Sequence, residues 1–187
     1  QAGDYELATP GKLLAGKRVK GINLLFTDVD VHTAQYVGAP FVYGFEKAGS
    51  GCGLISAQSV AAIDTAAIWM SKSGFWIYDG YVKPLPSDVS DYIFDNINFA
   101  QASKIYAVHN SKFGEIWWFF PSGTSTECND AVIYNIRENC WYDAGSASGA
   151  MRTAGYFSQV FKFPINAGAT LSTQDLIFTS SIITQTT

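Results

Sequence analysis

The sequence predicts an all-β chain, a β-propeller-like but incomplete array of four-stranded antiparallel blades with one short inter-blade helix, on three observations. The first is composition. Of 187 residues, 48% are apolar and only 15% charged, while 5 Trp, 10 Tyr and 13 Phe favour half-buried strands over charged surface helices. The second is a weak internal repeat. Leu25-Phe26-Thr27, Ile68-Trp69-Met70 and Ile116-Trp117-Trp118 each centre a large aromatic in a short apolar run, at spacings of 43 and 48 residues. Such spacings fall within the roughly 40 to 50 residues of a propeller blade. The third is that each run is followed by another extended segment, at 33–37, 75–78 and 131–134, so that each unit reads as a meander.

Taken in order, residues 1–21 read as an N-terminal basic arm or loop, 22–145 as the propeller blades, and 146–187 as a linker with a partial blade or C-terminal extension. The middle blade is the most explicit, with strands at 59–65, 66–71, 74–78 and 81–85. Asp79-Gly80 is a two-residue hairpin signal, since a primed turn needs positive φ, and Pro84 and Pro86 stop the last strand. Ser87 then opens a helix over 87–98 with apolar positions at Val89, Ile93 and Ile97. The next blade has strands at 105–110, 115–121, 131–136 and 139–143, with a Ser/Thr/Gly-rich loop at 122–129 that should tolerate insertions. Two further strands are expected at 155–163 and 176–178, after the Gly/Ser/Ala stretch that follows Asp143.

Net charge is −4 from 12 basic and 16 acidic residues, which is no footprint of a nucleic-acid binder. The distribution is uneven, because Lys12, Lys17, Arg18 and Lys20 stand together with no acid among residues 11–20. These four are the interface or DNA-contact candidates. Gly11 to Arg18 meets seven positions of a phosphate-binding loop, but Arg18 replaces the hydroxyl that would hold magnesium, so a solvated basic loop is the expectation. Cys52, Cys128 and Cys140 have neither disulfide-framework nor zinc spacing and are read as reduced. No run of 18 apolar residues occurs, so no membrane insertion is expected. The first residue is Gln1 rather than Met, which points to a start that has been processed, trimmed or only partly observed.

Asp28, Asp30 and His32 alternate, which on a strand would place two carboxylates and an imidazole on one face, able to hold a hard cation or to divide acid and base roles. The same alternation also describes an ordinary solvent face. His109 reads as a surface or interface residue. Ser56, Ser59 and Ser73 sit in no nucleophile elbow, and a carboxylate pair such as Asp79 with Glu115 cannot be set across a cleft from sequence. No catalytic residue, metal ligand or cofactor site is therefore nominated, and the chain is read as a non-enzyme. Trp69, Trp76, Trp117, Trp118 and Trp141 could form a stacking platform, but core packing between blades is the favoured account of them. Trp117 and Trp118, being adjacent, should face opposite sides.

Several words in sequence carry a resemblance. Pro40-Phe41-Val42-Tyr43-Gly44-Phe45, Gly51-Cys52-Gly53-Leu54-Ile55-Ser56, Gly74-Phe75-Trp76-Ile77-Tyr78-Asp79-Gly80, Asp91-Tyr92-Ile93-Phe94, Glu115-Ile116-Trp117-Trp118-Phe119-Phe120-Pro121 and Asn139-Cys140-Trp141-Tyr142 are similar to the β-propeller proteins that form the nozzle or hub of tailed-phage tails. The resemblance covers residues 22–145. It implies a virion structural protein of the tail, assembled in the host cytoplasm, that forms an oligomeric channel element retaining and then releasing DNA. It further implies, as partners, other copies of the chain, neighbouring tail proteins (adaptor, fibre or needle) and DNA in transient non-specific passage. Members of that family are longer, so either this chain is a portion of one or several chains complete the ring. The alternative is a glycan-binding propeller lectin or adhesin using exposed Trp and Tyr.

Overall fold

A computed structural model of the chain describes residues 6, 7 and 9–144. The chain divides into two units, Gln1–Pro86 and Ser87–Thr187. The described residues are mostly strand and form three four-stranded antiparallel sheets, each built from strands consecutive in sequence and none closed. The strands expected at 155–163 and 176–178 lie outside the described residues.

The first unit holds two of the sheets. The first consists of β1 (Leu13–Val19), β2 (Ile22–Thr27), β3 (Val31–Tyr36) and β4 (Tyr43–Gly49), in that order. The second consists of β5 (Val60–Ala62), β6 (Ala67–Met70), β7 (Phe75–Tyr78) and β8 (Val82–Leu85). Two expectations are corrected here. Residues 13–19 are not an arm or loop but the edge strand β1, turned back onto β2 by Lys20 and Gly21, whose φ angles of 50° and 83° make the primed turn that matches strand twist. With β4 on the other side, the first sheet is complete rather than a fragment. Pro84 does not end β8 but lies inside it opposite Trp76, tolerated because β8 is an edge strand whose outward N–H has no ladder partner to lose.

The two sheets pack face to face, β1 beside β5 and β4 beside β8. Leu24, Phe26 and Val31 from the first sheet meet Val60, Ala67, Trp69 and Tyr78 from the second. The Phe26 and Trp69 rings meet edge to face, centroids 5.1 Å apart, an arrangement worth about 0.5–1.5 kcal/mol beyond area burial. Trp69 is fully buried, and its indole N–H donates to the Cys52 carbonyl at 2.6 Å, which answers the one polar atom of an otherwise apolar side chain. The segment carrying Cys52 crosses beneath the β2–β3 turn, where the Gly53 N–H donates to the Val29 carbonyl at 2.9 Å. A side chain at Gly53 would run into the backbone of Asp28 and Val29. β6 is buried on both faces, as its unbroken Ala-Ile-Trp-Met run requires.

The second unit opens with α1 (Ser90–Asn96), shorter than the helix expected over 87–98, and a 3₁₀ segment at Phe99–Lys104 that Asn98 caps by accepting from the Ala100 N–H. Its sheet runs β9 (Tyr106–Asn110), β10 (Glu115–Phe120), β11 (Asp130–Asn135) and β12 (Cys140–Asp143). Trp118 is fully buried and stacks on Trp141 at 5.9 Å, while Trp117, on the opposite face, is half-buried and donates its indole N–H to Glu115. The 122–129 loop is more constrained than its composition suggests. Its Ser122 N–H donates to Asn129 Oδ1 at 2.7 Å, Gly123 donates to the Asn96 carbonyl, and Cys128 is buried in the core with Tyr106 and Phe119. Side-chain hydrogen bonds thus replace the turn residues that would have marked it as ordered.

Candidate functional site

The four basic candidates do not form one patch. Lys12 lies at the end of the first sheet where β2 turns into β3, and its N–H donates to Asp28 Oδ1 at 2.6 Å. The length of β1 separates it from Lys20, a span of about 20 Å at strand rise. Lys17 and Arg18 are adjacent on β1, opposite Leu24 and Asn23, and so leave the strand on opposite faces. Lys17, Arg18 and Lys20 thus lie near one end of the sheet, Lys17 on the face that carries Leu24 and Arg18 on the other, with Lys12 at the far end. Because Gly11 to Arg18 runs into a strand and a hairpin instead of a helix, the backbone N–H cradle of a phosphate loop does not form.

Asp28, Asp30 and His32 do not share a strand face. β2 ends at Thr27, whose hydroxyl accepts from the Val29 and Asp30 N–H groups and so closes a turn in which both aspartates sit. Only His32 is on a strand. Asp30 is 2% exposed, with its carboxylate 2.5 Å from Lys47 Nζ and 2.9 Å from the Gly51 N–H. Burial pushes Asp30 up, but the Lys47, Gly51 and Thr9 hydrogen bonds outweigh it and hold the carboxyl below its ordinary value. The same Thr9 reaches His32, buried beside it, with Oγ1 3.0 Å from Nε2. The arrangement fastens Thr9 and the β4 end of the sheet to the β2–β3 turn, which is structural work. Among the described residues, no three His, Cys, Asp or Glu side chains converge where a metal ion could sit.

The remaining nominated groups are likewise engaged locally. Asp79 is paired with Lys83 at 2.7 Å, and Glu115 accepts from Trp117. The Ser59 hydroxyl donates to the Ser56 and Met70 carbonyls. His109 is half-buried in β9 opposite Ile116. Cys52, Cys128 and Cys140 are free thiols, and burial pushes Cys52 and Cys128 each up to about 11, which keeps them protonated and inert at neutral pH.

One surface was not nominated from the sequence. The β3–β4 hairpin tip exposes Tyr36, Val37, Phe41, Val42 and Tyr43, with Phe41 74% exposed. Tyr36 and Tyr43 pair across the strands, ring centroids 6.2 Å apart. A signal existed in the sequence, since no Asp, Glu, Lys or Arg stands between Asp30 and Glu46. No protein-family model matches this sequence, and no curated protein is significantly similar to it. The resemblance to tail-nozzle proteins therefore rests on the quoted residues alone.

Proposed function

We infer that the protein is a non-enzymatic structural component of a phage tail nozzle or hub, a β-propeller element that joins other copies of itself around a channel through which DNA is retained and then released. The observation that carries this reading is the way two consecutive four-stranded meanders stack, strand beside equivalent strand, through Phe26 and Trp69. Stacked blades with aromatic filling are what a propeller requires, and about four to eight of them close a ring. The described residues supply three sheets, so closure falls to further copies or further chain.

The charge balance is compatible with the role. A net −4 chain offers a DNA conduit little non-specific adhesion, since phosphate neutralisation by basic side chains dominates such binding. The glycan-binding alternative needs an exposed Trp ledge. Trp118 is fully buried and Trp76 packs against the core of the first unit, so neither favours it. The test is native mass measurement and electron microscopy of the full chain. The expected result is a discrete closed oligomer with an axial channel, and a strictly monomeric protein at virion-like concentration would refute the reading.

A further inference from the structure

In an antiparallel meander the first and third turns project from the same end of the sheet. The β1–β2 turn, with Lys20 at its apex, and the β3–β4 tip therefore emerge together, two strand spacings or about 10 Å apart. The second sheet adds to this end, because Lys20 Nζ donates to the Asp79 carbonyl at 2.9 Å in the β7–β8 turn. Exposed Tyr81 follows in that turn beneath the Lys83 ammonium, 5.0 Å from the ring centroid. The end thus combines a convex apolar apex, Val37 with Phe41 and Val42, tyrosines at its base, and the cations of Lys17, Arg18 and Lys20 beside it. Asp64 and Asp79 are the acids of the same end, and Asp79 is neutralised by Lys83.

We propose that this end of the first unit docks on an anionic phospholipid bilayer, the hairpin tip dipping into the headgroup layer while Lys17, Arg18 and Lys20 meet lipid phosphates. Three features select this occupant. The apex is convex and includes aliphatic side chains, whereas single-stranded nucleic acid calls for a groove with flat stacking platforms. Tyr36 and Tyr43 stand below the apex, where amphipathic rings sit at a membrane interface. The adjoining cations complement an anionic leaflet, each worth about fivefold in binding near the surface. Docking of this kind is distinct from spanning, and among the described residues no helix is long and apolar enough to cross a membrane.

The test is co-sedimentation of the full chain with phosphatidylcholine vesicles, with and without phosphatidylserine. Binding should require the anionic lipid and weaken with salt. Phe41→Asp should lower partitioning by at least about tenfold, because burying a phenyl ring is worth that factor or more. Phe41 is exposed, so its replacement should leave the circular dichroism unchanged and the expected closed oligomer intact. Arg18→Gln with Lys20→Gln should reduce binding to anionic vesicles and lessen its salt dependence, leaving the share that Lys17 carries. Absence of vesicle binding, binding indifferent to Phe41→Asp, or retention of a single-stranded oligonucleotide by these residues in place of vesicles would overturn the proposal. Loss of vesicle binding with the ring retained, or the reverse, separates this proposal from the nozzle reading.

Discussion

Trp69 is the side chain on which the packing of the first two sheets most depends, and replacing it by Phe separates its two contributions. Trp69→Phe keeps an aromatic ring but deletes the indole N–H that donates to the Cys52 carbonyl at 2.6 Å. Cys52 is itself fully buried, so its carbonyl would lose that donor, a loss of about 1–3 kcal/mol. The smaller ring adds a void, bringing the expected cost to roughly 2–4 kcal/mol, against about 3–5 kcal/mol for Trp69→Ala. Phe26→Leu removes the other half of the edge-to-face pair, and its double-mutant cycle with Trp69→Leu, which takes away both rings, should return a coupling of about 0.5–1.5 kcal/mol. Urea unfolding with amide exchange read at Ala67–Met70 would measure these values on the first unit directly. A Trp69→Phe cost within about 0.5 kcal/mol of zero, or zero coupling to Phe26, would refute sheet packing through this pair.

Two buried carboxylates should respond to pH in opposite directions. Asp30 is held below its ordinary value, so its stabilisation is present above the unfolded value of about 4 and is lost as pH falls through the folded one. Asp30→Asn should cost about 1–3 kcal/mol at neutral pH by weakening the bonds from Lys47 and Gly51, and the difference from wild type should shrink in acid unfolding curves. Asp130 is raised, first by burial and then by the Asp143 charge, against the opposing Ala131 N–H bond. Its folded form binds the proton more tightly than the unfolded chain, so it weakens the fold as pH rises from about 4 through the folded value. Asp130→Asn should therefore stabilise the second unit at neutral pH, with no gain below about pH 4 by the same linkage.

The second and third sheets were legible because strong local signals agreed with burial. Asp79-Gly80 does mark the β7–β8 hairpin, although Tyr78 pairs with Val82 across a three-residue loop in which Gly80 has φ 144° rather than across the two-residue primed turn expected, and the β6 and β10 runs are as apolar as their buried positions demand. The two edge strands of the first sheet were not legible, for one shared reason. β1 and β4 bury little, so Leu-Leu-Ala-Gly-Lys-Arg-Val and Tyr-Gly-Phe-Glu-Lys-Ala-Gly carry almost no alternation. The β1–β2 turn was hidden as well, because Lys20 occupies a positive φ that is normally announced by Asn or Gly. Asp28 and Asp30 were misplaced because alternation is also what a tight turn between two strands produces, and only the Thr27 hydroxyl distinguishes the cases. The hairpin tip was not legible as a surface, because residues 33–37 read only as an extended segment and 40–45 only as part of the resemblance.

The aromatic repeat has a geometry that its spacing alone does not disclose. Phe26 and Trp69 occupy the second strand of their respective sheets, yet they point toward each other across one interface. Equivalent positions in stacked sheets would point the same way, so the repeat is one of strands and not of faces. A sheet-to-sheet contact needs complementary surfaces rather than identical ones, and a Phe met by a Trp from the opposite side satisfies it as well as a strict repeat would. Because every sheet draws all four strands from consecutive residues, no strand has to be exchanged to complete one. The outward face of the first sheet, with Leu25 and Phe45 half-buried and Tyr36 and Tyr43 exposed, is far less covered than either face of β6.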